Sequence, residues 1–205
     1  MNMKMVNSAL AGLLLATPAL AEPPKAFDSL PDNVKALYVG VEDTLQPGAY
    51  DDFKLPPKPW KWCHSESFQG NPWRVSVTNE LKRLVDEYKA KGWVSDFEMS
   101  DSNGDTSQQI AQIRAFIDKK CSIITSFAGS TTALNDAIEA AYKAGIPYVT
   151  GAGAVTSPYA VNVDSNYVKF GYDLAKGIVD GLGGKGNVLR VEGIAGSPLV
   201  AQQRA

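Results

Sequence analysis

From Trp60 onward the chain alternates short strand-like runs with amphipathic helical stretches, and this alternation narrows the fold more than any other feature of the sequence. Trp60–Glu66 has the texture of a first strand. Asn71-Pro72 then opens a helix, because asparagine is a strong N-cap and proline suits the first turn. Val77, Leu81, Leu84, Val85 and Tyr88 follow helical spacing, and Gly92 ends the helix. The same reading predicts strands at Trp93–Met99, Ser122–Phe127, Ile146–Thr150, Ala160–Val163 and Asn187–Glu192. It predicts helices at Thr106–Lys119, Thr131–Ala144 and Asn166–Leu182, and one more opened by Pro198. Strands that alternate with helices make a parallel sheet covered on both faces, and right-handed crossovers make it doubly wound. The expected fold class is therefore α/β, with the first four strands in the order 2-1-3-4. Such sheets bind ligands beyond the carboxyl ends of their strands. Here those ends are Ser67–Pro72, Ser100–Asp105, Ala128–Thr131, Gly151–Tyr159 and Gly193–Ser197, all rich in Gly, Ser, Asn or Asp.

The N-terminus carries a different message. Lys4 supplies positive charge, Leu10–Ala16 an apolar stretch, and Ala19-Leu20-Ala21 a small-residue cleavage site before Glu22. These three parts in this order are a secretory signal peptide spanning residues 1–21, cleaved after Ala21. The mature protein is expected in the periplasm, without a lipid anchor because no cysteine adjoins the cleavage site. Residues 22–59 hold seven prolines: Pro23, Pro24, Pro31, Pro47, Pro56, Pro57 and Pro59. Proline at this density interrupts helix and sheet ladders, so 22–59 is expected to be an extended N-terminal segment with one short helix at Pro31–Tyr38. It is either a partner-binding arm or a leader packed on the domain. The last expected helix is barely opened at Ala205, and the strand at Asn187–Glu192 has no later strand to pair with, so the chain is expected to be a fragment.

Charge and residue counts exclude several functions. Loss of Lys4 with the leader takes 20 basic residues to 19 against 22 acidic ones, a net charge of −3. No basic stripe is present, which argues against nucleic acid as a partner. One histidine and two cysteines cannot build a zinc finger or a three-histidine metal site; no metal or cofactor is expected. Cys63 and His64 are strand neighbours pointing to opposite faces, so they form no nucleophile–base pair, and His64 is expected to be structural. No G-x-S-x-G elbow occurs. The glycines of Gly181–Gly186 follow a helix rather than a strand, which makes a turn rather than a phosphate loop. Asp101–Asp105 begins like a calcium loop, but its glycine comes early and Gln112 stands at the twelfth position. That loop is expected to cap the next helix through Asp105 or Thr106. No catalytic residue is expected. A disulfide between Cys63 and Cys121 suits an oxidising compartment, although the two positions look offset along the sheet.

Several stretches, taken in order, carry a resemblance. They are Gln69-Gly70-Asn71-Pro72-Trp73, Ser107-Gln108-Gln109-Ile110 with Gln112-Ile113, Ala144-Gly145-Ile146-Pro147, Val163-Asp164-Ser165-Asn166 and Gly193-Ile194-Ala195-Gly196-Ser197. With this spacing, Ser67–Ala205 resembles the N-terminal part of periplasmic sugar-binding proteins of the ribose-binding (type I) class. These are substrate receptors of ABC importers. The resemblance implies two α/β lobes that close on a ligand. Residues 60–164 would form the first lobe, and 165–205 the start of a truncated second one.

What the resemblance implies for function is binding without chemistry: a monomeric protein that captures a sugar or polyol and presents it to a membrane permease. A role serving a chemoreceptor or sensor kinase is the alternative, and an exported α/β enzyme a more distant one. Trp73 occupies the family's sugar-stacking position; a first-turn tryptophan packed in the core is the competing reading. Asn71 caps the helix or bonds a hydroxyl, Ser130 lies where the third strand's loop supplies polar contacts, and Asp164 matches the family's acidic residue at the hinge. After the fourth strand the ribose-type pattern has an Asp-Arg pair, whereas this chain has Gly151-Ala152-Gly153. Ribose is therefore not the expected ligand.

Overall fold

A computed structural model describes residues 25–38, 48–191, 193 and 200. The expected signal peptide lies outside the described residues, as do Glu192 and all of the helix expected from Pro198 except Val200. Five parallel strands form one sheet in the order β2-β1-β3-β4-β5. They are β1 (Trp60–Glu66), β2 (Val94–Asp101), β3 (Ile123–Phe127), β4 (Tyr148–Gly151) and β5 (Val161–Val163). The expected 2-1-3-4 order is thus present, extended by β5 on β4. β1 lies between β2 and β3, and its register pairs Glu66 with Asp101 on one side and with Phe127 on the other.

Alternation along β1 decides what each face carries. Cys63 and Ser65 face α4 (Thr106–Asp118) and α5 (Asn135–Lys143), which pack side by side. The apolar core lies there, built from Ile113 and Phe116 of α4, Leu134, Ala137, Ile138 and Ala141 around α5, and Ile124 and Tyr148 of the sheet. Each large side chain so buried contributes about 1.5–3 kcal/mol. His64 and Glu66 face the other way, toward α3 (Pro72–Ala90).

Local signals explain the helix ends. Asn71 Oδ1 accepts the Arg74 N–H at 2.9 Å, so the asparagine caps α3 and fixes where its first turn begins. At the other end Gly92 takes a φ of +70°, Trp93 N–H bonds Tyr88 O, and the Trp93 ring stacks on Tyr88 at 5.5 Å. This is a Schellman stop with its accompanying apolar contact.

Several expectations are corrected. α5 begins at Asn135 rather than Thr131, because Thr131–Leu134 forms a turn closed by Asn135 N–H on Thr132 O. Asn187–Val191 is irregular rather than a strand. The edge beyond β4 is already taken by β5, and Val188, Leu189 and Val191 stand exposed. α6 (Tyr167–Gly181) forms as expected behind its Asn166 cap, and its Phe170, Leu174 and Ile178 are exposed.

The extension holds α1 (Lys25–Asp28), α2 (Asp32–Lys35) and a 3-10 turn at Ala36–Tyr38, against the one helix expected. Residues 49–53 pack on the domain. The Tyr50 hydroxyl donates to Tyr159 O at 2.8 Å and accepts the Tyr148 N–H at 2.9 Å, and Tyr142 donates to Ala49 O. Tyr50, Phe53, Tyr142 and Tyr159 form one aromatic cluster.

Cys63 and Cys121 are joined in a disulfide with a Cα–Cα distance of 6.0 Å. The offset expected from the sequence disappears because the chain turns through Lys120, at φ +57°, and brings Cys121 under β1.

Candidate functional site

The carboxyl ends of β1 and β3 carry an unusual polar arrangement. Glu66 is fully buried, and its Oε1 accepts Arg74 Nη1 at 2.6 Å and the Phe68 N–H at 3.2 Å. A buried carboxylate is costly unless paired, and Arg74 supplies the compensating charge. Glu66 Oε2 lies 3.7 Å from His64 Nε2, and neither atom has a hydrogen-bond partner. His64 Nδ1 sits 2.9 Å from Thr125 Oγ1, which also accepts Trp62 Nε1–H at 2.8 Å. The threonine proton can then go to Nδ1, or to the more distant Cys63 O at 3.5 Å. The shorter contact leaves the imidazole proton on Nε2, facing Glu66. His64 is thus buried, with its ring edge-on to Phe127 at 5.2 Å.

Phe127 is the hub above this pair. The Arg74 guanidinium lies 5.2 Å from its ring centre and 5.5 Å from that of Trp73. The Trp73 ring is 6.1 Å from Phe127, and the residue keeps 52% of its surface exposed. That exposure excludes a core tryptophan. Gly151 approaches from the other side: a Cβ there would lie 3.2 Å from Phe127 Cε1 and 3.4 Å from Val163 O. A larger residue would have to push the ring aside.

Asp164 follows directly on β5. Its carboxylate accepts the Ser165 N–H at 2.9 Å, and the backbone N–H groups of Gly153 and Ala154 also favour its charged form. The residue as a whole is exposed, but packing around the carboxylate strips water from it. This desolvation holds the carboxyl above its ordinary value despite the three N–H donors. The Tyr167 hydroxyl is pushed up by its own partial burial and by the Asp164 charge, and drawn down by a Ser165 hydrogen bond and by Arg74. Both charges therefore act on the same phenol.

The loop after β3 is shaped by Gln109, which is fully buried. Its Nε2 donates to Phe127 O at 3.0 Å and Ser65 Oγ at 3.3 Å, and its Oε1 accepts the Gly129 N–H at 3.0 Å. Ser130 acts locally: its Oγ accepts the Thr132 and Ala133 N–H groups. The loop after β2 caps α4, with Asp105 accepting from Ser107 and Gln108.

Of the four residues expected from the sequence, Trp73 lies 6.1 Å from Phe127, and Asp164 follows Val163, whose carbonyl lies close to Gly151. The Asn71 oxygen is committed to its cap, and Ser130 to its own turn. The sequence reading missed Arg74, Glu66, Phe127 and Gln109. Arg74 adjoins the motif tryptophan, and an arginine eight residues after an acidic strand end was the only available signal.

The sequence model of the periplasmic binding protein domain matches residues 66–205. No curated protein sequence matches the chain. Among solved structures, it resembles an ABC transporter solute binding protein from Thermobispora bispora at 27% identity and TM-score 0.66, over 71% of this chain and 46% of that one. It resembles another from Mycobacterium smegmatis, with bound glycerol, at 26% identity and TM-score 0.62, over 72% and 50%. A fructose-binding periplasmic domain of a hybrid two-component system shares the fold at 21% identity and TM-score 0.64, over 70% and 47%. The chain spans about half the length of these structures.

Proposed function

Because the chain belongs to the periplasmic binding protein domain family, we propose that it is an exported solute-binding protein that captures a sugar or polyol for the permease of an ABC importer. One observation carries the reading: a half-exposed Trp73 beside Phe127, with Arg74 over both rings, at the carboxyl edge of a parallel sheet. Aromatic faces suit the C–H faces of sugar rings, and the sheet edge is where this architecture binds ligands. The glycerol-bound neighbour and the fructose-binding one add support for a polyhydroxy ligand.

The division is 1–21 signal peptide, 22–59 N-terminal extension, 60–164 first lobe and 165–205 the start of a second lobe. Asp164 sits at the step between lobes, Trp73 is the platform, and Asn71 and Ser130 line the first lobe's rim. The protein acts as a periplasmic monomer and performs no chemistry: closure of the lobes on the ligand creates the form that the permease recognises. A sensing role is the second reading, favoured by the neighbour from a two-component system. Uptake of radiolabelled sugars by cells with and without the gene separates the two. Lost uptake with intact sensing supports delivery, and unchanged uptake with lost induction supports sensing. Mass analysis of periplasmic protein should find Glu22 at the N-terminus; only intact Met1 protein, confined to the cytoplasm, would contradict export.

A further inference from the structure

Residues 49–60 run beneath the sheet, along the starts of its strands and away from the ligand edge. The Tyr50 hydroxyl holds Tyr148 N–H at the start of β4 and Tyr159 O ahead of β5. Ala49 N–H donates to Pro158 O at 3.3 Å, and the Tyr142 hydroxyl donates to Ala49 O at 2.8 Å. Farther along, Pro56 borders a groove of about 380 Å³ together with Ile117, Lys120, Cys121, Ser122 and Ile146. Pro56 O accepts Trp60 Nε1–H at 2.7 Å, and Lys58 Nζ lies 3.3 Å from the centre of the Trp93 ring, just ahead of β2. Proline suits such a band, because Pro56, Pro57 and Pro59 have a fixed φ and no N–H in need of a ladder partner. Cys121 borders the groove, yet only 2% of it is exposed, and its partner Cys63 is fully buried.

We propose that residues 49–60 shield the Cys63–Cys121 disulfide, so that a small dithiol reductant reaches Cys121 Sγ when this band lifts from the groove while the domain stays folded. The other walls of the groove belong to the turns from α4 into β3 and from α5 into β4. Those turns are closed by Cys121 N–H on Phe116 O and by Ile146 N–H on Ala141 O, and they lead directly into the core. The band, by contrast, is held by a few hydrogen bonds and ring contacts, and none of its residues is buried. A segment with so few buried contacts opens locally at less cost than the whole domain. Once it is lifted, a thiolate of the reductant attacks Cys121 Sγ and forms a mixed disulfide there. The Cys63 sulfur leaves as a thiolate and takes up a proton. The second thiolate of the reductant then attacks the reductant's own sulfur in the mixed disulfide. That closes the reductant to a cyclic disulfide and releases the Cys121 sulfur, which also takes up a proton. Two electrons pass from the dithiol to the two cysteines. The shield lies at the opposite end of the sheet from the cleft, so the proposal stands apart from the identity of the ligand.

The test follows reduction of the full-length protein by excess dithiothreitol, counting free thiols over time by alkylation and mass analysis. Tyr50→Phe keeps the ring but loses both hydroxyl bonds. It should speed reduction about five- to thirtyfold, the factor for one or two hydrogen bonds lost from the closed form. Pro56→Gly removes a wall of the groove and should speed reduction as well. Circular dichroism checks that both variants stay folded. In the wild type the reduction rate should hardly change with urea below the unfolding transition, because lifting the band exposes little surface. A rate that climbs with urea as steeply as global unfolding would overturn the proposal, since reduction would then need the unfolded chain. This arm uses the wild type alone and decides the question even where a variant fails to fold. Unchanged rates in both folded variants would overturn the proposal too. So would wild-type reduction as fast as that of oxidised glutathione, or no reduction of any of the folded proteins.

Discussion

Replacing Cys63 and Cys121 together by alanine removes the covalent tie between β1 and the turn before β3. The two residues are 58 apart in sequence, so the bridge closes a loop that contains α3, β2 and α4. Loop-closure entropy for that length is worth about 4 kcal/mol. Both sulfurs are buried, Cys63 completely, so the native state also loses some packing. Against a typical domain stability of about 5–15 kcal/mol this is a large share. For a chain of this size it corresponds to a fall in melting temperature of roughly 8–16 °C. The assay is thermal melting followed by far-UV circular dichroism, on wild-type protein and on the double alanine variant. Thiol titration of native protein recovered from the periplasm should find no free thiol. Melting within about 2 °C of wild type, given the scale above, or two reactive thiols in the exported protein, would refute the reasoning.

Other perturbations probe the site and its supports. Gln109→Leu strands the Gly129 N–H and the Phe127 carbonyl, and should cost about 2–4 kcal/mol in urea unfolding; a negligible loss would mean that the β3 loop does not depend on Gln109. Tyr50→Phe removes the acceptor of the Tyr148 N–H. Hydrogen exchange at that amide should quicken, and unchanged protection would show that the extension is not anchored there. The Asp164 carboxyl is raised above its ordinary value of 3.8, chiefly by desolvation. Its charged form therefore opposes folding, a penalty that is absent below the unfolded value and complete above the folded one. Asp164→Asn should melt higher than wild type near pH 7, and the difference should vanish as pH falls through the folded value and below the ordinary one. A difference that persists under strongly acidic conditions would contradict the assignment.

The alternation of strand and helix was legible because each signal is local. Asn71-Pro72 and Gly92 mark the two ends of α3 by backbone chemistry that no tertiary contact overrides. Trp73 was legible through its place beside that cap, and Asp164 through the motif around it. The Glu66–Arg74 pair was not, since it joins a strand end to a helical turn across an intervening loop, and either residue alone looks like an ordinary surface charge. Phe127 was hidden for a similar reason. It closes a strand whose alternation predicts its face, but not that His64, Trp73, Arg74 and Gly151 converge on it. Gln109 sat inside a recognised motif, yet its three bonds to β1, β3 and the Gly129 loop depend on the register of those strands. The disulfide looked offset because strand positions were compared without the left-handed turn at Lys120. The exposed apolar side of α6 had no local signature, because Phe170, Leu174 and Ile178 show the spacing of a buried helix.

Calorimetric titration of neutral sugars into full-length protein, wild type and Trp73→Ala in parallel, tests the central claim most directly. Trp73 keeps half of its surface exposed next to Phe127, so it should serve the ligand more than the fold. Saturable binding of one neutral sugar by the wild type is expected. The variant should bind it about ten- to hundredfold more weakly, taking the roughly 1–3 kcal/mol of stacking on an aromatic platform as the scale, with only a small fall in melting temperature. Unchanged affinity, accompanied by the loss of about 3–5 kcal/mol of stability that truncating a core tryptophan brings, would contradict the account.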